Sequence, residues 1–279
     1  MKRIWQQTIK EPISYEGVGL HSGKSVKLRF LPAEMNTGLV FIRTDLPGMP
    51  EIQAQADKVT SALRATTLTE GEAHVFTVEH VIAALYMAEI DNCRIEMSAP
   101  EPPAADGSAK VFCELIEKAG KVEQEAKVDW LEVKKVLQVY DGNRYIVILP
   151  YEGYRISFTS MNPHPELGTQ HFDLEFSEES CLLNIVPART IGFMNELEAL
   201  QAQGLALGGS LENALVYDQE KSLNTPRFSD ELVRHKILDV IGDLALCGKR
   251  LSGHVIAVQS AHLLNTQLAA KLQEYARLG

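Results

Sequence analysis

His235, Asp239 and Asp243 recur at every fourth position in His235-Lys236-Ile237-Leu238-Asp239-Val240-Ile241-Gly242-Asp243. The segment reads as helix. Each four-residue step turns only about 40° around the axis, so the three side chains line one stripe. A neutral imidazole and a carboxylate one turn apart can hold a divalent metal. By spacing alone a solvated polar face is the commoner reading of such a stripe. A catalytic zinc takes three protein ligands and keeps a fourth position open for water, so a third donor is needed. His80 is one candidate among the eight histidines. It follows Glu79 at the start of a helix that Thr77 is expected to cap, and a carboxylate beside a ligand can take a proton from water at the metal. His262 follows a strand, where it can reach a cleft as acid or base, with Asp243 fixing its tautomer or holding it protonated. Arg189 and Thr190 fall in a tight turn before a glycine, where a hydroxyl can donate to an oxyanion. No P-loop, G-x-G-x-x-G, G-x-S-x-G or H-E-x-x-H pattern is present.

The elements that must carry these residues follow from periodicity. Ser229 is the expected N-cap of the His/Asp helix, with Asp230 and Glu231 in its first turn and Gly248 at its end. Val233, Ile237, Val240, Ile241 and Leu244 fall opposite the stripe, which is therefore expected to face solvent or a second domain. Residues 1–60 alternate as short strands, followed by a helix over 77–87, a strand over 92–97 and a helix over 109–119. Residues 121–129 are charged and lack a core pattern, as an inter-domain linker would. The order then restarts, with strands near 130–140, 144–150 and 153–160, the helix 230–247, a strand over 253–260 and a helix from 263. Strands, helix, strand, helix in both halves suggests a structural duplication and an α+β fold of layered sheet and helices. The expected domains are 1–121 and 130–279, with 122–129 between them. Residues 186–217 interrupt the second half with an amphipathic helix over 195–203. There Leu197, Leu200, Leu205 and Leu207 either line an apolar channel or close over the domain core.

The chain has 279 residues, 45% of them hydrophobic and 23% charged, with a formal net charge of −10. That balance suits a globular protein and argues against general nucleic-acid or anionic-membrane binding. The N-terminal residues lack a signal-peptide core, and the longest apolar run, Val81 to Ala88, is too short to span a bilayer. Four scattered cysteines without a C-x-x-C pair read as reduced thiols, and a cytoplasmic monomer is expected.

Taken together, the motifs resemble those of the UDP-3-O-acyl-N-acetylglucosamine deacetylases, zinc amidases of lipid A synthesis. The matching stretches are Gly17-Val18-Gly19-Leu20-His21-Ser22-Gly23, Thr77-Val78-Glu79-His80, Ile90-Asp91-Asn92, Asp106-Gly107-Ser108-Ala109, Ala188-Arg189-Thr190, Leu207-Gly208-Gly209-Ser210, the His235–Asp243 run and His262. They occur in the family's order over nearly the whole chain. The resemblance implies one Zn2+ (or Fe2+) held by His80, His235 and Asp239. It implies Glu79 as general base toward the attacking water, Thr190 as oxyanion donor, and His262, oriented by Asp243, as the acid toward the leaving amine. Lys236 would approach the diphosphate of a UDP-linked acylated amino sugar. Phe193, Leu197, Leu200, Leu205, Ala206, Gly209 and Ser210 would contact the substrate, chiefly its acyl chain, in a passage built by the insert. Two similar α+β domains would enclose the zinc in the cleft between them. Ile191, Met161 and Gln259 depart from the residues common in the family, and the departures bear on the nucleotide contacts that the resemblance implies more than on the zinc chemistry. They leave a same-fold amidase with altered substrate preference as the alternative.

Overall fold

The computed structural model describes residues 3–278. Among the described residues there are six α-helices: α1 (Glu79–Met87), α2 (Lys110–Ala119), α3 (Glu178–Asn184), α4 (Met194–Ala202), α5 (Glu231–Ala245) and α6 (His262–Leu278). The period-2 runs form two principal sheets. In the first, the spatial order is Ile13–Val18, Ser25–Leu31, Cys93–Met97, Leu39–Arg43, Glu51–Gln53. In the second it is Leu137–Asp141, Arg144–Leu149, Arg250–Val258, Tyr154–Met161, Thr169–Glu175, with Trp130–Glu132 added parallel to Arg250–Val258. The five-strand orders are the same. Each half builds two hairpins and then inserts its last strand between them, antiparallel to the first hairpin and parallel to the second. A helix precedes that last strand (α1, α5) and another follows it (α2, α6). The duplication expected from element order is therefore present in the topology.

The halves differ at one equivalent place, between the second hairpin and the crossover helix. The first half carries a three-stranded sheet there (Val59–Ser61, Thr67–Glu70, Ala73–Phe76). The second carries α3, α4 and a two-stranded parallel pair, Ile191–Phe193 with Leu215–Tyr217. Inward positions of the strands are apolar, as in Leu28 and Phe30, or Ile156 and Phe158, and these join one continuous core running through both halves.

α1 is buried along its whole length and packs along α5. Of the two expected surroundings of the His/Asp stripe, solvent or the other half of the chain, it has the second: α1 covers it, and Asp243 is at 0% exposure. Two expected caps are absent. The N-cap of α1 is Val78 and that of α5 is Asp230, neither making a side-chain cap bond. Thr77 instead donates its hydroxyl to Glu101. The charged stretch expected as a linker contains the strand Lys121–Lys127, paired antiparallel with Trp5–Ile9. Its charges point outward while Gln124 bonds inward to Asn92 and the Ala33 carbonyl, so the alternation carries no apolar signal. No helix among the described residues is long and apolar enough to cross a membrane.

Candidate metal centre and active site

Two helices deliver the candidate ligands. The N-terminus of α1 presents Glu79 and His80, and the middle of α5 presents His235 and Asp239. The close approach depends on Gly242, since a Cβ there would lie 2.2 Å from the Glu79 carbonyl oxygen. His80 Nε2 and His235 Nε2 lie 3.7 and 3.4 Å from Asp239 Oδ1. The imidazoles stand edge to face with centroids 5.0 Å apart. Donors about 2.0–2.2 Å from a tetrahedral ion lie about 3.3–3.6 Å from one another, so these separations suit one shared cation. Asp239 Oδ1 is buried and has no hydrogen-bond partner. His235 donates from Nδ1 to the Ala188 carbonyl (3.2 Å), which leaves the Nε2 lone pair facing Asp239. Burial, opposed by Asp239, pushes the His235 pKa down to about 3, so it is a neutral donor. Asp239 is held well below the usual carboxylate range; burial opposes this, and His235, Lys236 and His262 outweigh it. These three residues thus fit a divalent cation, and they are a potential metal-holding cluster among the described residues.

Two further groups flank the cluster. Glu79 is 2% exposed, and burial raises its pKa against the pull of His262 and His80. Its Oε2 accepts the Thr66 amide (3.1 Å), while Oε1 lies 3.8 Å from His262 Nε2. His262 Nδ1 donates to Asp243 Oδ2 at 2.8 Å. Burial alone would lower the His262 pKa, but Asp243, Glu79 and Asp239 together raise it to about 10. Asp243 in turn accepts the Thr66 hydroxyl (2.6 Å) and the Asn265 amide (2.9 Å), so its orientation is fixed by three donors. A buried carboxylate and an imidazole paired with a second carboxylate therefore flank the candidate cation site.

The turn bearing Thr190 is held from below. Glu231, four residues before His235 and on the same stripe, accepts from Arg189 N and Nε (3.0 and 2.8 Å) in a buried ion pair. This clamp sets both the Ala188 carbonyl under His235 and the position of Thr190. Lys236 Nζ donates to Asp239 Oδ2 at 2.9 Å and reaches the same opening.

Seven of these residues, Glu79, His80, Thr190, His235, Lys236, Asp239 and His262, line one end of a cavity of about 650 Å³. Phe193, Leu197, Leu200, Ala206, Gly209 and Ser210 line it toward the insert. Asp243 lies behind His262 rather than on the wall. Leu205 and Leu207 are not on the wall either. Leu205 closes the C-terminal turn of α4 by donating its amide to the Leu200 carbonyl, and Leu207 is half exposed against Gly23. Met161, Ile191 and Gln259 do face the cavity.

Sequence reasoning missed Thr66, Asn265 and Glu101. Asn265 sits one turn after His262, a helical spacing that could have found it. Thr66 is 177 residues from Asp243 and carries no such signal.

The family model for UDP-3-O-acyl N-acetylglycosamine deacetylase matches residues 6–274. The chain belongs to this family. Curated proteins named UDP-3-O-acyl-N-acetylglucosamine deacetylase include one from Citrifermentans bemidjiense, 46% identical over 272 residues, covering 96% of this chain and 89% of the relative. Another, from Actinobacillus succinogenes, is 46% identical over 276 residues, covering 97% and 90%. A third, from Myxococcus xanthus, is 45% identical over 269 residues, covering 96% and 86%.

Proposed function

We propose that this member of the family hydrolyses the N-acetyl amide of UDP-3-O-acyl-N-acetylglucosamine, releasing acetate and the free amine for lipid A biosynthesis. The observation that carries the reading is the convergence of three ligands with a base and a protonated acid at the head of an apolar cavity. Zn2+ is the proposed resident ion, with Fe2+ the other ion this ligand set accepts; His80, His235 and Asp239 would hold it. Such a cation supplies Lewis acidity toward the amide carbonyl and acidifies water.

The chain's own groups divide the remaining work. Glu79, its basicity raised by burial, takes a proton from the attacking water at its carboxylate. The Thr190 hydroxyl donates to the carbonyl oxygen as charge develops there. An amine leaves readily only when protonated, and His262 delivers that proton from Nε2 while Asp243 keeps Nδ1 bonded. Lys236 stands where it can meet the substrate's anionic diphosphate. The lining from Phe193 to Ser210 would receive the acyl chain and exclude water from the reacting end. The two halves would work as similar domains around the cleft. The ligand set is complete within one chain, which supports a monomeric enzyme. The four cysteines are buried and free, which supports a reducing, cytoplasmic setting.

Met161 is 53% exposed at the cavity, and Gln259 donates to its carbonyl. This wall favours, as a second reading, an altered nucleotide preference on the same chemistry. The test is acetate release from the UDP-linked substrate, with chelator and zinc add-back, in parallel with other nucleotide carriers. Metal-loaded, folded enzyme that releases no acetate from any of them overturns the proposal.

A further inference from the structure

Glu101 is a buried carboxylate that the chemistry above does not use; its exposure is 0%. It accepts three hydrogen bonds, all from neutral donors. Oε1 takes the His21 amide (2.9 Å) and the Thr77 hydroxyl (3.0 Å), and Oε2 takes the Ser22 amide (2.7 Å). These donors belong to two different parts of the site.

His21 and Ser22 lie in the loop 19–23, whose Leu20 and His21 line the cavity. The insert's turn rests on that loop. Leu207 N donates to the His21 carbonyl, Gly208 N to the Leu20 carbonyl, and Ala206 N to His21 Nδ1. The seat is tight, since a Cβ on Gly208 would lie 2.2 Å from the Gly19 carbonyl oxygen, and one on Gly19 would lie 2.3 Å from Glu101 Oε2. The loop therefore sets where Ala206, Gly209 and Ser210 stand on the apolar wall. Thr77, the other donor, holds a left-handed conformation (φ 57°) two residues before Glu79 and three before His80. A threonine there is strained and needs an outside anchor.

We propose that Glu101 is a positioning and specificity residue. Both of its oxygens hold the loop that sets the wall receiving a long acyl chain, Oε2 through Ser22 and Oε1 through His21, and Oε1 also holds the turn that aims Glu79 and His80. The proposal rests on the deacetylase reading above.

Two near-isosteric variants separate the arms. Glu101→Gln keeps an oxygen for His21 and Thr77 but turns an amide N–H toward the Ser22 N–H, loosening the loop. Its affinity for a long-chain acyl substrate, measured on metal-free enzyme and as KM, should weaken about tenfold, and that for a short-chain acyl substrate less than twofold. Thr77→Val deletes only the other arm. It should lower metal affinity and kcat about tenfold while leaving the long-to-short KM ratio unchanged, and Thr77→Ser should restore both. Equal weakening of both substrates by Glu101→Gln, or none, overturns the wall assignment. Wild-type metal affinity in Thr77→Val overturns the second assignment, and thermal melts report whether each variant is folded. Failure of the deacetylase reading would show instead as a wild-type protein that binds metal but turns over neither substrate.

Discussion

Replacing Gly242 by alanine tests whether the α1–α5 contact makes the metal site. The new Cβ would fall 2.2 Å from the Glu79 carbonyl oxygen, 2.9 Å from its carbonyl carbon and 3.1 Å from its Cα. All three are backbone atoms, so no side chain can swing aside. Restoring an ordinary separation moves the start of α1 away from α5 by about 1 Å. Metal ligands tolerate displacements of about 0.2 Å, so His80 would leave the sphere that His235 and Asp239 define. A metal-affinity loss of about 100-fold is expected, as is a fall in kcat of at least about 100-fold from misplacing Glu79. The stability cost is smaller. Overpacking costs about 1–3 kcal/mol, and the helix-propensity gain of alanine over glycine returns about 1 kcal/mol. The variant should therefore fold, melt a few degrees lower and fail at metal binding. Competition with a chromogenic chelator, alongside denaturant unfolding, reads the two effects separately. Metal affinity within threefold of wild type together with intact kcat would refute the reasoning, because it would show that the two helices need not touch for the site to form.

Three other substitutions divide the roles at the site. His235→Ala should purify without stoichiometric metal, while Glu79→Ala should keep the metal and lose about 10²–10⁴ in kcat; metal analysis and saturation kinetics distinguish them. Near wild-type turnover in Glu79→Ala would remove it as the base. In Asp243→Asn the alkaline limb of kcat/KM should move to lower pH. His262 is raised to about 10 by carboxylates that outweigh its burial, so its active, protonated form is lost as pH rises through that value. A bound dication offsets part of this field and puts the wild-type limb below 10. Removing the carboxylate 2.8 Å away should shift the limb down by about 2 units. An unmoved limb would mean that His262 is not the acid.

Much of the site was legible because helical periodicity is local. The spacing of His235, Asp239 and Asp243 placed three residues on one face, and adjacency put Glu79 beside His80. Periodicity says nothing about what a face packs against, so it leaves the stripe open to solvent or a second domain; α1, from the first half, covers it. The caps were misread for a related reason. Thr77 and Ser229 have the right chemistry at the right offset, but the Thr77 hydroxyl is taken by Glu101, a competitor 24 residues away. Thr66 was invisible because it reaches Asp243 only through a sheet inserted into the first half. The strand Lys121–Lys127 was invisible because its inward residue is Gln124, whose contacts are amide bonds rather than apolar packing.

The duplicated topology explains why the site needs both halves. Each half inserts its extra structure between its second hairpin and its crossover helix, so both insertions border the α1–α5 seam. From the first insertion come Thr66, which bonds Glu79 and Asp243 at once, and Ala62 and Arg64 on the cavity wall. From the second come Thr190 and the apolar lining. α1 supplies one candidate ligand and α5 two, so neither half alone offers the three donors that a catalytic cation needs. A divalent ion bound here would add a link across the seam, stabilising the pairing of the halves in proportion to its affinity. The hydrophobic core already runs through both halves. Metal removal should therefore abolish turnover while leaving a folded chain, unlike a small structural zinc module, whose fold depends on its ion.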